Sequence, residues 1–487
     1  MAAIQSTPSN STIPRQTPAD ADAAVRRHRR RLGWRTTLGI ACGVAATAWL
    51  AAGTAADEAD RSESVRAAIK GGPARNVILF VGDGMGDSEI TAARNYAMGP
   101  GGRLALDTLP LTGAYTTYSV QEAHPELPDF VPDSAATGTA WATGHKTSNG
   151  RISTSPGDDR DLPTILEIAQ QGGYRTGDVT TAELTDATPA VLASHVAQRS
   201  CQGPANMALC PQDRKSAGGP GSIAEQLIAH RPDVLMGGGA ARFEQATDAG
   251  PLVTQLAVAA GYRIVTADAG LDYVDRGQRV LGLFAPGNMT VEWRGAEAVP
   301  YPANVATPQS CKEDQRPANE PSLSRMTAKA IALLDSPGVG PGFFLQVEGA
   351  SIDKQDHAAD PCGQIGETIA FDQAVRVGLD FARDHPDTLI VVTADHGQAS
   401  QIVGLPTDAD HPTGLLSVLR TRSGVPMTMS YATNAFHRSQ DHTGTQVRIA
   451  AQGPQAANVV GVIDQTELFQ LISRALQVPD RKGSVSP

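Results

Sequence analysis

Three short apolar runs constrain this chain more than any other feature. Asn76-Val-Ile-Leu-Phe-Val81, Phe343-Phe-Leu-Gln-Val347 and Thr388-Leu-Ile-Val-Val-Thr393 lack the regular polar alternation of a half-exposed strand. Runs of this length suit strands covered on both faces. Helical stretches fall between such runs. Around residues 161–173, Asp161 reads as the cap, Pro163 as a first-turn residue and Gly172-Gly173 as the stop. Buried strands alternating with helices predict a layered α/β fold. In such folds, sites collect beyond the carboxyl ends of the strands. Asp83, Glu348 and Asp395 each follow one of the three runs, which predicts that they share one site. Residues 200–320 read as less regular, with Gly237-Gly238-Gly239 and several prolines, and are expected to carry insertions. No linker divides the chain after residue 75.

The 487 residues are within reach of one large α/β domain, and 41% hydrophobic content permits a substantial core. The formal charge is −11. Residues 1–56 hold seven Arg, no Lys and two acids, so the remainder has 33 basic and 49 acidic residues, a balance of −16. That sign argues against a nucleic-acid partner and gives no general attraction for an anion. A phosphate would need local positive charge, which metals could supply.

The N-terminus has the pattern of a targeting segment. Residues 1–25, rich in Ser, Thr, Pro and Ala, read as a disordered leader. Arg26 to Arg35 form a basic region, and Thr36 to Ala56 an apolar one ending in Thr54-Ala55-Ala56, a small-residue cleavage site. Residues 26–56 are therefore a signal peptide, or a membrane anchor if uncleaved. Arg30-Arg31 weakly suggests twin-arginine export. Cys42 lies in the apolar stretch, leaving Cys201, Cys210, Cys311 and Cys362 as an even set. Three connectivities are open. Cys201 and Cys210 are near enough to close a short loop, and Cys311 and Cys362 would then pair. Disulfides fit an oxidising compartment, periplasmic or secreted.

The chemistry-bearing residues cluster in type though not in sequence. Asp353 and His357 stand four apart, one helical turn, so both can reach one ion. Pro361 is expected to end that helix. Asp395 and His396 are adjacent, and His442 follows. Carboxylates and imidazoles in this mixture are what zinc takes when it does chemistry, and there are enough for two ions. Asp133-Ser134 opens a small-residue segment running to Gly144, predicted to be a helix. A serine there feels the positive end of the helix dipole, and a cation on its oxygen would make it a nucleophile without a His base.

These pieces resemble the bacterial alkaline phosphatases of the Gram-negative periplasm. The matching segments are Gly82-Asp-Gly-Met-Gly-Asp-Ser-Glu89, Pro132-Asp-Ser-Ala135, Thr181-Ala-Glu-Leu-Thr-Asp-Ala-Thr-Pro189, Gln346-Val-Glu-Gly-Ala-Ser-Ile-Asp-Lys-Gln-Asp-His357, Thr393-Ala-Asp-His396 and Asp441-His-Thr-Gly444. They run in family order over the whole body. The resemblance implies a three-layer α/β/α sandwich with a large, mostly parallel central sheet. It implies hydrolysis of small phosphate monoesters through a phosphoserine at Ser134, with two zinc ions and one magnesium per subunit. Asp353, His357 and His442 would hold the first zinc, at the leaving oxygen. Asp83, Asp395 and His396 would hold the second, which activates Ser134. Asp83 would bridge to a magnesium completed by Thr188 and Glu348, oxygen ligands that suit that ion. Arg199 would clamp phosphate with two hydrogen bonds, a geometry lysine cannot supply. Asp186 and Lys354 would pair beside the site, Asp186 touching the magnesium shell and Lys354 the phosphate, each through water. A homodimer is implied, with residues 57–75 as an arm, 76–478 as the catalytic domain and 479–487 as a tail.

One departure is the added glycine in Thr137-Gly138-Thr139, which should weaken the helix by about 0.5–1 kcal/mol. His195 reads as a packing residue rather than a ligand. His124, His145, His411 and His437 receive no role. The rival readings are a phosphodiesterase or other metal hydrolase of the same superfamily, and a non-catalytic exported protein that binds metal or phosphate.

Overall fold

The three apolar runs lie side by side at the centre of the main sheet. The computed structural model describes residues 60–302, 305–336 and 338–479, so the leader expected over 1–56 and nearly all of the tail fall outside the described residues. The main sheet has ten strands: Asn76–Gly82 (β1), Leu111–Thr116 (β2), Arg175–Glu183 (β3), Val234–Gly238 (β4), Tyr262–Val265 (β5), Arg279–Leu283 (β6), Phe343–Gly349 (β7), Thr388–Ala394 (β8), Val447–Gln452 (β9) and Gly461–Asp464 (β10). Their order is β10-β2-β9-β8-β1-β7-β3-β4-β6-β5, and β9 alone runs against the rest. The sheet is thus mostly parallel, as expected.

The register explains why the strand ends make a site. β1 pairs with β7 on one side and β8 on the other, with Gly82 opposite both Gly349 and Ala394. Asp83 and Asp395 therefore leave the sheet at one level. Glu348 sits one residue earlier, paired with Val81 and with Thr180 of β3. All seven residues in each of β1, β7 and β8 are buried, which accounts for their unbroken apolar character.

Helices cover both faces. In chain order the ones that matter here are Ser62–Ala68 (α1), Asp87–Met98 (α2), Ser134–Thr143 (α3), Ile165–Gln171 (α4), Ala187–Ala190 (α5), Ile223–His230 (α6), Leu323–Leu334 (α7), Ser351–His357 (α8), Pro361–Asp384 (α9) and Glu467–Leu476 (α10). One layer contains α2, α7 and α9, and the other α3, α4 and α10. A smaller four-stranded sheet, formed by Val299–Pro300, Ser400–Val403, Leu415–Arg420 and Pro426–Tyr431, encloses a second core with Trp293 and Tyr96. The described residues fall in one unit. In α1, Val65 and Ala68 lie against the core. Among the described residues no helix is long and apolar enough to cross a membrane.

Three expectations need correction. Asp161 does not cap α4. Thr164 does, in a reciprocal capping box with Glu167 that satisfies two orphan N–H groups, and Pro163 precedes the cap. Pro361 does not end α8, which stops at His357. It opens α9, where a fixed φ suits the first turn and Asp360 caps the Cys362 and Gly363 amides. Residues 200–320 are irregular over 284–322, where Val299–Pro300 is the one strand among the described residues, but over 200–283 they are more regular than expected. They supply β4, β5 and β6, and short 3₁₀ turns are confined to Pro204–Ala217. These strands are only four or five residues long, too short for periodicity to register. Disulfides join Cys201 to Cys210 and Cys311 to Cys362.

Candidate active site

Ser134 is the first residue of α3. Asp133 caps the helix, its carboxylate accepting from the Ala136 amide at 3.0 Å. All ten residues of α3 are buried. The glycine that looked like a cost has a packing reason: a Cβ at Gly138 would lie 2.9 Å from the Val191 side chain. Trp141 ties the helix to β7 by donating its indole N–H to the Gln346 side-chain Oε1 at 3.1 Å.

Beside Ser134, donors and acceptors are out of balance. Ser134 Oγ lies 3.2 Å from His396 Nε2. The same nitrogen is 3.2 Å from Asp395 Oδ2 and 3.4 Å from Asp83 Oδ1. Asp395 Oδ1 is already occupied, accepting from the Gly84 and His396 amides at 2.8 and 2.9 Å. Asp395 Oδ2 and Asp83 Oδ1 are buried and, among the described residues, have no hydrogen-bond donor. Burial, then Asp395, Asp353 and Glu348, push the Asp83 carboxyl well above its usual range.

This geometry is not a Ser-His-Asp triad. A triad places its carboxylate on Nδ1 and keeps Nε2 for the serine. Here both carboxylates crowd Nε2, and Nδ1 faces the Gly397 carbonyl at 3.4 Å. Burial also pushes His396 down to about 4, leaving a weak base. Lone pairs converging on one point fit a cation.

Asp353, His357 and His442 form an adjoining set. Asp353 and His357 come from one turn of α8, as their spacing predicts, with His357 Nε2 3.3 Å from Asp353 Oδ2. His442 Nε2 is 3.3 Å from Asp353 Oδ1 and 3.0 Å from His357 Nε2. Each ring has its Nδ1 against a carbonyl, Gln440 for His357 and Pro132 for His442, the latter at 2.9 Å. A carbonyl only accepts, so both Nδ1 atoms carry hydrogen, and the neutral rings would turn their Nε2 lone pairs inward. Burial opposes charge on His442, yet the Asp353 carboxylate outweighs it and pushes the ring up to about 9. The two sets touch where the His396 and His442 rings stack, 3.6 Å between centroids.

A third group is all oxygen. Glu348 is buried, accepts from the Thr180 hydroxyl and is pushed up to about 8, mainly by burial. The Thr188 hydroxyl is buried with no hydrogen-bond partner among the described residues. With Asp83 these hard donors suit magnesium, whereas the two nitrogen–oxygen sets suit zinc. Opposite lies a positive pair: Lys354 Nζ is 2.7 Å and Arg199 Nη2 2.8 Å from the two Asp186 oxygens, and Arg199 Nη1 is 3.2 Å from Asp133 Oδ2. Burial favours a neutral Asp186, but Lys354 and Arg199 outweigh it and hold the carboxyl well below its usual range.

The fold thus gathers most of the sequence-predicted residues at the ends of β1, β7 and β8 and the start of α3, with Thr188 on α5. Supporting residues that sequence reasoning passed over are Gln398, which donates to Asp353, Thr180, which donates to Glu348, and Asp133 in its contact with Arg199. No local pattern marks them, because each acts across a long sequence separation.

A family model described as alkaline phosphatase matches residues 74–438 and 432–478. The chain is 50% identical over 457 residues to streptomycin-6-phosphate phosphatase of Streptomyces griseus, covering 92% of this chain and 98% of that protein. It is equally 50% identical over 428 residues to alkaline phosphatase of Escherichia coli K12, covering 86% of this chain and 89% of that one. The fold resembles the alkaline phosphatase structure from the Antarctic bacterium TAB5, with a TM-score of 0.65 at 22% identity, covering 84% of this chain and all of the other.

Proposed function

The chain belongs to the alkaline phosphatase family of phosphomonoesterases, and on that premise we propose that it cleaves phosphate monoesters in two steps through Ser134. In the first, Ser134 Oγ attacks phosphorus as the bond to the alcohol oxygen breaks, giving a phosphoserine and a free alcohol. In the second, water forms a new bond to phosphorus as the serine–phosphorus bond breaks, releasing inorganic phosphate and restoring Ser134. Two in-line displacements, each inverting the configuration, predict overall retention at phosphorus.

Two zinc ions and one magnesium, when bound, would supply Lewis acidity and neutralise developing charge. Asp83, Asp395 and His396 would hold one zinc, Asp353, His357 and His442 the other, and Asp83, Thr188 and Glu348 the magnesium. Ser134 is oriented by the Asp133 cap and receives the favourable end of the α3 dipole. Arg199 presents its fork to phosphate, positioned by Asp133 and Asp186, with Lys354 as a second cation. A cavity of 470 Å³ bordered by Lys354, His357, Phe436 and Arg438 supports room for varied alcohols. A broad substrate range agrees with equal likeness to a relative named for streptomycin 6-phosphate and to one named only alkaline phosphatase. The targeting pattern of residues 26–56 supports export to the periplasm or medium. A homodimer, with residues 57–75 as its arm, is proposed on the family's habit.

The observation that carries this reading is the single point shared by Ser134, His396, Asp395 and Asp83. The test compares turnover of a nitrophenyl phosphate monoester and diester, with trapping of phosphate on the protein at low pH. Monoester turnover with label on Ser134, lost on chelation and regained with zinc and magnesium, is expected. Faster diester turnover, or label elsewhere, would overturn it.

A further inference from the structure

A second set of imidazoles and a carboxylate lies apart from the residues above. Glu167 of α4, His195 in the segment after α5 and His230 at the end of α6 converge, with Glu167 Oε1 3.1 Å from His195 Nε2 and 3.2 Å from His230 Nε2. The rings meet edge to face, their centroids 5.9 Å apart.

The remaining atoms of each group are already committed. His195 Nδ1 is 2.9 Å from the Ser153 carbonyl, and His230 Nδ1 is 2.7 Å from the Ala193 carbonyl. Both Nδ1 atoms therefore carry hydrogen, and in the neutral rings both Nε2 atoms are bare lone pairs. Glu167 Oε2 accepts from the Thr164 amide at 2.8 Å, which leaves Oε1 for the shared point. Three acceptors thus face one another with no donor among them. Protons on the imidazoles would relieve the conflict, and so would a cation. The separations suit a cation well, because ligands about 2.0–2.1 Å from a tetrahedral zinc lie about 3.3 Å from each other. Backbone carbonyls on the far nitrogens are also the usual outer support of metal-bound imidazole.

The surroundings are built rather than incidental. Gln226 grips His195 twice, accepting from its amide and donating to its carbonyl, each at 2.9 Å. The His195 side chain is buried, whereas that of His230 is 31% exposed, leaving a path for an ion and a place for water. We propose that Glu167, His195 and His230 form a separate zinc-type site, with two imidazoles, one carboxylate and a water completing the coordination. It joins α4, α6 and the segment that runs on to Arg199, whose amide donates to the Gly150 carbonyl at 2.7 Å. Ser153, which receives His195, also donates its amide to Thr139 on the Ser134 helix at 2.9 Å. The site is a structural staple beside the chemistry, not part of it.

The test uses full-length protein with its active-site metals loaded, brought to equilibrium by dialysis against micromolar zinc. Wild type is expected to hold one more zinc per chain than His230→Ala, and zinc is expected to raise the melting temperature of wild type more than that of the variant. Glu167→Gln, which keeps an acceptor for the Thr164 amide, should lose the same equivalent should His230→Ala prove unstable. Monoester turnover at saturating substrate should be unchanged in His230→Ala. Equal zinc content in wild type and both variants would mean that the group is only an ion pair, and would overturn the proposal.

Discussion

The two imidazole–carboxylate regions make an instructive pair. Each directs imidazole Nε2 atoms at a carboxylate, and in each the far nitrogens rest against backbone carbonyls. Ligand chemistry alone would not distinguish them. What differs is the company. The strand-end region has a serine at a helix start within 3.2 Å of its imidazole and the Arg199–Lys354 pair opposite, whereas the Glu167 region has helix ends and a capping contact around it. If Ser134 and Arg199 act as proposed, a cation held by the first set would meet a nucleophile and an anion clamp, and one held by the second would meet only structure. On that proposal the difference in reactivity would come from a hydroxyl and a guanidinium placed beside the ligands, not from the ligands alone.

The largest expected effect erases that difference. Ser134→Ala should lower kcat on a nitrophenyl monoester by more than about 1,000-fold while leaving metal content unchanged, so that the strand-end region behaves like the other. Steady-state kinetics with elemental analysis checks both halves. Removing the clamp is a lesser change. Arg199→Ala gives up charge-assisted hydrogen bonds of about 1.5–3 kcal/mol each, so kcat/KM should fall by at least about tenfold. Retained activity within twofold would show that Arg199 does not hold substrate.

A packing change should act on both regions together. Gly138→Ala gains helix propensity but drives a methyl into Val191, in the stretch leading to His195 and Arg199. We expect a net loss of about 1–3 kcal/mol in urea unfolding, largely restored by adding Val191→Ala. The smallest effect is on the link between the regions. Arg151 lies two residues from Ser153 and is gripped by Glu122 and Asp159. The Arg151 guanidinium holds Glu122 down at about 2, below the usual 4.5. A lowered carboxyl contributes stability above its unfolded value and loses it as pH falls through the folded one. The stability gap between wild type and Glu122→Gln should therefore be full above about pH 5 and shrink steadily toward pH 2, as followed by melting temperature.

The legibility of these features followed their range along the chain. β1, β7 and β8 could be read because strands buried on both faces must be apolar throughout, and their register then brought Asp83, Glu348 and Asp395 together. Asp353 and His357 were legible from helical spacing alone. Ser134 could be read from its place at the start of a small-residue helix, whereas Arg199, Asp186 and Thr188 were picked out by likeness to a family, since no spacing rule singles them out. Thr164 and Glu167 carried a readable capping signal three residues apart, but Asp161 and Pro163 competed for it. His230 had no signal. Its partners lie 35 and 63 positions away, and only the packing of α6 against the rest brings it to them. The same holds for Gln398 and Thr180, whose value lies wholly in what the fold sets beside them.

The pairing of Arg199 has a consequence for turnover. Its guanidinium already rests on Asp133 and Asp186, and Lys354 shares the second, so two cations are matched by two anions before any ester arrives. If Arg199 clamps phosphate as proposed, an incoming phosphate would compete with resident carboxylates for the same N–H groups. Capture would thereby be weaker than a bare arginine would give, and the released product would face the same incumbents, which would help to expel it.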